Sequence, residues 1–288
     1  MGQKDLTEKN LQYYPDVFAD ILNALLYDGK QMIAAEELQP APTETLYRSH
    51  KGGLRNQFHD VSKFVFRQGN ILIQYTLENE TKTSRKMIFR RAGYEGAVYR
   101  EQLDKKADYP YIGLVLYWGK RKWTQPCSIT EYFSSREIPL ETWKYVNNLK
   151  IQVFQMAKLP PKIRKRFTSD MRIVVDFLAE GKNYIPTKQR ILHAEAFLLL
   201  MESLTGDPRY GEMIQMAREK EAKGEEIAVC EVLDGFINQG IQQGIPQGEA
   251  RMLVKAVDAL MANLSFSLKQ ACESIGTSEE EYRKAKLV

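Results

Sequence analysis

Along residues 71–81, ILIQYTLENET, apolar and polar positions alternate with the period of two that a β-strand imposes. Ile71, Ile73, Tyr75 and Leu77 fall on one face, and Gln74, Thr76, Glu78 and Glu80 on the other. A second strand is predicted near 58–67, beginning FHDVSKFVF, and the intervening Gln68 and Gly69 mark a hairpin. Upstream, residues 15–27 have helical spacing. Val17, Phe18, Ile21, Leu22 and Leu25 make an apolar side, and Asp16, Asp20, Asn23 and Tyr27 a separate polar stripe. Pro15 suits a first helical position and Gly29 the residue just past the end. Between this helix and the hairpin, residues 36–53 hold two prolines and end in Gly-Gly, which predicts a loop or a flap.

Beyond the hairpin, residues 82–105 read as a helix, and the continuous apolar run 111–118, YIGLVLYW, as a strand covered on both faces. After residue 135 the pattern predicts helices at 141–158, 163–181, 187–204 and 209–234, punctuated by prolines and by Gly206. Residues 240–248, GIQQGIPQG, repeat glycine every fourth position and predict a hinge or a close-contact segment. Three short helices close the chain at 250–262, 264–275 and 278–286, with Ser278 capping the last. The expected organisation is a mixed α/β core over 1–135, a helical region over 136–235, a hinge at 236–250 and a small helical segment at 251–288.

Composition narrows the class. With 288 residues, 43% of them hydrophobic, the chain can bury a substantial core. A net charge of +4 and a pI near 8.7 permit contact with nucleic acid without requiring it. Cys127, Cys230 and Cys272 have neither metal-ligand spacing nor the pairing of a disulfide framework, as expected of a reducing compartment. The N-terminus lacks an apolar signal core, and no window approaches eighteen consecutive apolar residues, so a cytoplasmic protein with no membrane association is expected.

The candidate chemistry gathers at the acids. Glu78 and Glu80 share one face of a strand, and Asp60 lies on its hairpin partner. Carboxylates at the end of an apolar run are costly unless solvated, paired or bound to a cation, and an oxygen-rich cluster suits Mg²⁺. Asp20, on the polar stripe of the first helix, could bring a fourth acid. Lys63 is close to Asp60 in sequence, but its odd spacing sends it to the opposite face unless the strand bulges. Lys82, Arg85, Lys86 and Arg90 follow at helical spacing and would share one face, an array suited to phosphate contacts with DNA. Lys120, Arg121 and Lys122 precede Trp123, a loop able to touch unpaired bases. Residues 162–166, KIRKR, open a helix, where cations oppose the helix dipole; a solvated surface run is the plainer reading. His59 adjoins Asp60 and could support a metal ligand, or simply pack. The last three helices carry few basic residues, which favours packing or self-association over reading DNA.

The segments FADILN at 18–23 and YDGKQ at 27–31 resemble the opening of the Rpn family of recombination-promoting nucleases, whose members are also described as transposases. LENET at 77–81 resembles that family's Ile-Glu-Asn-Gln-Thr strand end. Tyr94, Tyr99 and Gln102, the strand at 114–118 followed by Trp123, the glycine repeat and the closing helices are similar as well. The resemblance implies a restriction-endonuclease-like α/β core of the PD-(D/E)XK superfamily with a mixed central sheet, followed by a mainly helical C-terminal region. It implies Asp60 and Glu78 as metal ligands for Mg²⁺ or Mn²⁺, with Asp20 as a first-helix acid. Glu80 stands where the superfamily has lysine and this family usually has glutamine. A glutamate there would ligate a second metal or act, with a raised pKa, as an acid or base. The implied activity is that of a metal-dependent DNA endonuclease in recombination or transposition. Paired cuts on two strands would be natural for a homodimer. The departure at Glu80 leaves open a second reading, a nuclease fold that binds DNA or a protein partner without cleaving.

Overall fold

The computed structural model describes residues 3–48, 54–105, 107–185, 188–223, 225, 227–229, 231, 249–263 and 265–287. Its centre is a five-stranded mixed sheet in the order β1-β4-β5-β6-β7, formed by β1 (Leu38–Pro40), β4 (Val61–Arg67), β5 (Asn70–Glu80), β6 (Tyr111–Tyr117) and β7 (Gln152–Gln155). β4 and β5 make the expected hairpin, with Val61 opposite Leu77 and Lys63 opposite Tyr75. Gln68 and Gly69 both take positive φ (52° and 80°), the backbone of a two-residue turn that follows the right-handed twist of its strands. β5 runs parallel to β6, and β6 to β7. A parallel pair needs a long crossover, supplied between β5 and β6 by α3 (Met87–Lys105).

Helices cover both faces. On one, α1 (Gln3–Tyr13) and α2 (Pro15–Leu26) lie over Tyr75, Leu77 and Asn79: the side chains of Gln12 and Asn79 exchange hydrogen bonds of 2.9 and 2.8 Å, and the Tyr27 hydroxyl meets that of Tyr75. On the other, α3 sends Arg91 to the Tyr111 hydroxyl at 2.8 Å, and Tyr111 bonds Thr76 at 2.7 Å. From Gln74 to Asn79 every residue of β5 is therefore buried, polar positions included. Gly113 on β6 makes room for this layer, because a Cβ there would stand 1.4 Å from the Arg91 guanidinium.

The polar stripe of α2 is buried at Asp20 and Asn23. Asn23, almost fully buried, accepts the backbone N–H groups of Met32 and Ile33 at 3.0 Å and donates to the Ile33 carbonyl at 2.8 Å. Asp20 accepts four hydrogen bonds from the backbone and hydroxyls of Thr168 and Ser169. Asp16 pairs with His193, whose ring stacks on Tyr14 at 3.7 Å. α2 is thus packed between the sheet and the later helices α5 (Pro161–Arg164) and α6 (Met171–Glu180).

Several elements differ from the sequence expectation. Residues 36–53 contribute β1 and, in a separate antiparallel ribbon, β2 (Glu44–Arg48) paired with β3 (Leu54–Phe58). The helix expected at 141–158 is a 3₁₀ turn at Leu140–Tyr145 followed by β7, so the core sheet draws its fifth strand from beyond residue 135. A parallel partner, Leu114–Tyr117, overrides local propensity there. The helix expected at 163–181 is broken into α5 and α6, because Asp20 offers the intervening backbone N–H groups another acceptor. α7 (Ala194–Thr205) and α8 (Arg209–Ala222) form a helical hairpin, and α7 packs on α1.

The chain divides into two compact units, Met1–Ile185 with Arg190–Ile227, and Pro186–Gln189 with Ala228–Val288. In the second, a helix at 249–263 (α9), α10 (Leu268–Ser274) and α11 (Glu279–Ala285) enclose Val257, Ala271, Cys272 and Tyr282. Ser278 caps α11 in a capping box with Glu281, as its sequence position suggests, and Ser267 does the same for α10 with Gln270. The glycine repeat lies outside the described residues. Among those described, no helix is long and apolar enough to cross a membrane.

Replacing Gly113 with alanine should displace Arg91 from Tyr111 and leave a buried charge poorly partnered. The expected loss is about 1–3 kcal/mol, read as a lower urea midpoint at unchanged m-value.

Candidate active site at the end of the central strand

Glu78 projects from β5 toward α3 and is 1% exposed. The imidazole Nδ1 of His59 lies 2.9 Å from its Oε1. Arg91 Nη1 stands 3.8 Å from the same oxygen and Arg90 Nη2 3.8 Å from Oε2. Burial pushes the Glu78 carboxyl above the usual range; the His59 hydrogen bond and the Arg91 charge oppose that rise, and the Asp60 charge adds to it. His59 is itself packed edge-on to Tyr94 at 4.6 Å. Its Nε2 is buried with no hydrogen-bond partner among the described residues.

Asp60 precedes β4 and is bound to β5 between the two glutamates, its Oδ2 accepting the backbone N–H of Asn79 at 2.6 Å. Its Oδ1 is 2.7 Å from Lys9 Nζ of α1. Glu80, at the end of β5, is ion-paired with Arg90. The strand end thus brings together Asp60, Glu78 and Glu80, and matches them with three cations, Lys9, Arg90 and Arg91.

Asp20 is not part of this group. Both its oxygens are engaged by Thr168 and Ser169, so the fourth metal acid read from the sequence is a loop anchor instead. Among the described residues no three His, Cys, Asp or Glu side chains are gathered to hold a metal ion. Asp60 and Glu78 are the acids that would hold one. Mg²⁺ retains several waters and needs only one or two carboxylates besides phosphate oxygens, and a divalent cation would oppose the rise that burial imposes on the Glu78 carboxyl.

The basic array is rearranged as well. α3 begins at Met87, so Lys82, Arg85 and Lys86 sit in the loop before it, exposed but not on a helix face. Arg85 lies over the Tyr132 ring at 4.8 Å and donates to the Tyr132 carbonyl at 3.0 Å. Arg90, the one member on the helix, is engaged with Glu80. Trp123 is packed against Tyr117 at 5.2 Å, which takes it away from unpaired bases, while Lys120, Arg121 and Lys122 stay exposed. In KIRKR, Arg164 is buried against Asp176 and Glu180, and Arg166 pairs with Asp28 at 2.7 Å, so two of its cations have structural partners.

Lys63 lies on the opposite face, 2% exposed, with Nζ 4.6 Å from the Tyr13 ring centre and 5.7 Å from that of Phe18. The bulge in β4 falls between Val65 and Phe66, too late to turn it round. Lys9 and Arg91 escaped the sequence reading altogether: neither is near the acids in sequence, and only the packing of α1 and α3 brings them in.

A mixed sheet sandwiched by helices, with carboxylates at the end of its central strand, defines an α/β nuclease-like core. The family model described as "Putative transposase, YhgA-like" matches residues 51–198, just over half of the chain, and the chain belongs to that family. A role related to transposition comes with that membership. No curated protein and no solved structure gives a significant match.

Two outcomes are expected. Asp20→Ala should destabilise the fold by about 2–4 kcal/mol, since it strips four hydrogen bonds from a buried carboxylate site, as a lower urea midpoint would show. Burial lowers the Lys63 pKa below its ordinary 10.5. The folded state therefore holds fewer protons than the unfolded state in the window just below 10.5, and stability rises with pH there. Lys63→Met should remove that alkaline rise and stabilise the protein at neutral pH, as urea unfolding across pH would show.

Proposed function

We propose that this chain is a divalent-metal-dependent DNA endonuclease acting in recombination or transposition. The observation that carries the reading is the buried Glu78 with Asp60 bound beside it, both inside the family-matched stretch. Asp60 and Glu78 would hold Mg²⁺ or Mn²⁺, which would supply Lewis acidity toward a phosphoryl oxygen and lower the pKa of a water. His59 orients Glu78 through its 2.9 Å contact, and the Arg91–Tyr111–Thr76 chain keeps the layer beneath it closed. Glu80 is compatible with an anionic substrate because Arg90 offsets its charge. Exposed Lys82, Arg85 and Lys86, with Lys120 to Lys122, give the same region a basic rim for the DNA backbone. A homodimer would allow cuts on both strands.

A second reading has its own support. The three carboxylates are balanced by three cations with no ion added, the condition of a silent site that still binds DNA.

Cleavage of supercoiled plasmid decides between them. In Mg²⁺ or Mn²⁺ the wild type should nick or linearise the plasmid, EDTA should stop it, and Asp60→Asn and Glu78→Gln should each slow it by at least about 100-fold. Salt-sensitive DNA binding without turnover in either metal would instead establish the silent binder, and undiminished cutting by both variants would remove these residues from the site.

A further inference from the structure

A nuclease site of this kind calls for a positive group facing the attacked phosphodiester, and β5 supplies none. Glu80 occupies the strand position and ion-pairs Arg90, which also stands 3.8 Å from Glu78, while Arg91 is 4% exposed beneath the sheet, bound to Tyr111. Lys63, the lysine nearest Asp60 in sequence, is on the far face against Tyr13 and Phe18. Among the described residues, the remaining cation at the acids is Lys9, partly exposed and 2.7 Å from Asp60 Oδ1.

Its delivery is built into the fold. Gln12 lies one helical turn after Lys9, on the same side of α1. It makes the reciprocal amide pair with Asn79, the residue between Glu78 and Glu80, and Asn79 also accepts the Trp118 indole N–H at 2.8 Å. The Asn79 backbone N–H in turn holds Asp60. α1 is thereby registered on the strand end, and its ammonium is placed beside the acid of the opposite strand. Lys9 lies outside the family-matched residues.

We propose that Lys9 is the lysine of this site, supplied by α1 in place of the strand position that Glu80 fills, and that its ammonium contacts the phosphodiester bound at Asp60 and Glu78. The assignment deepens the nuclease reading and rests on it for the chemical step, but the phosphate contact can be tested without turnover.

The test uses the full chain with Lys9→Met, Lys9→Gln and Lys9→Arg. Affinity for a labelled duplex is measured against salt in Ca²⁺, under conditions that leave the duplex intact, and single-turnover cleavage is measured in Mg²⁺. Thermal unfolding and Mn²⁺ calorimetry report the fold and the acids. Removing one phosphate contact should lower the slope of log affinity against log salt by about one. Both neutral variants should show this and cleave about 100-fold more slowly, with Mn²⁺ affinity at or above that of the wild type and Lys9→Arg within about tenfold of wild-type cleavage. An unchanged salt slope in the neutral variants overturns the assignment. So does a loss of cleavage that tracks lost Mn²⁺ binding, which would make Lys9 a prop for Asp60. If Lys9→Met does not fold, Lys9→Gln carries the same comparison. A wild type that never cleaves overturns the nuclease reading alone, since the salt slope still decides whether Lys9 meets phosphate.

Discussion

Burying the Glu78 carboxylate inside the sheet is the constraint to which the surrounding structure answers. A charge removed from water is costly unless hydrogen bonds and opposite charges meet it. His59 and Arg91 do so from either side, and Arg91 in turn needs a glycine at 113 to pass over β6. Asp60 is drawn to the same strand end by the Asn79 N–H and brings Lys9 with it. Two helices distant in sequence are thus tied to one strand by the need to compensate its acids, which makes the site a product of the core and not an addition to its surface.

The same economy of polar contacts joins the sheet to the helices that follow it. α2 carries Asp20 and Asn23 into the interior and Asp16 to its rim, where each finds partners from a different segment. Aliphatic residues alone would bury α2 equally well, but would leave the loops at 31–33 and 167–170 without directional anchors. Specific hydrogen bonds decide which loop lies where, and the apolar residues around them supply the driving force.

For function, the position of Glu80 matters most. A bare third carboxylate would repel a phosphate. Paired with Arg90 it becomes a neutral element at the strand end. Family membership places the chain in the YhgA-like family, and the charge pattern at the strand end is what distinguishes its site from a simple cluster of acids.

Sequence by itself determined the elements whose signals are local. The Gln68–Gly69 turn, the alternation along β5, the unbroken apolar run of β6, the Pro15 start of α2 and the Ser278 cap all depend on a few neighbouring residues, and backbone sterics translate them directly into structure. Asp60, Glu78 and Glu80 were legible together because a hairpin register is set by its turn. Tertiary structure decided the rest. β7 is a strand because β6 offers it hydrogen bonds. Asp20 of α2 turns inward because the loop at Thr168 and Ser169 covers it. Lys9 and Arg91 reach the acids only when α1 and α3 pack on opposite faces of one sheet. Charge compensation acts through space, over contacts of a few ångströms, and spacing along the chain carries no record of it.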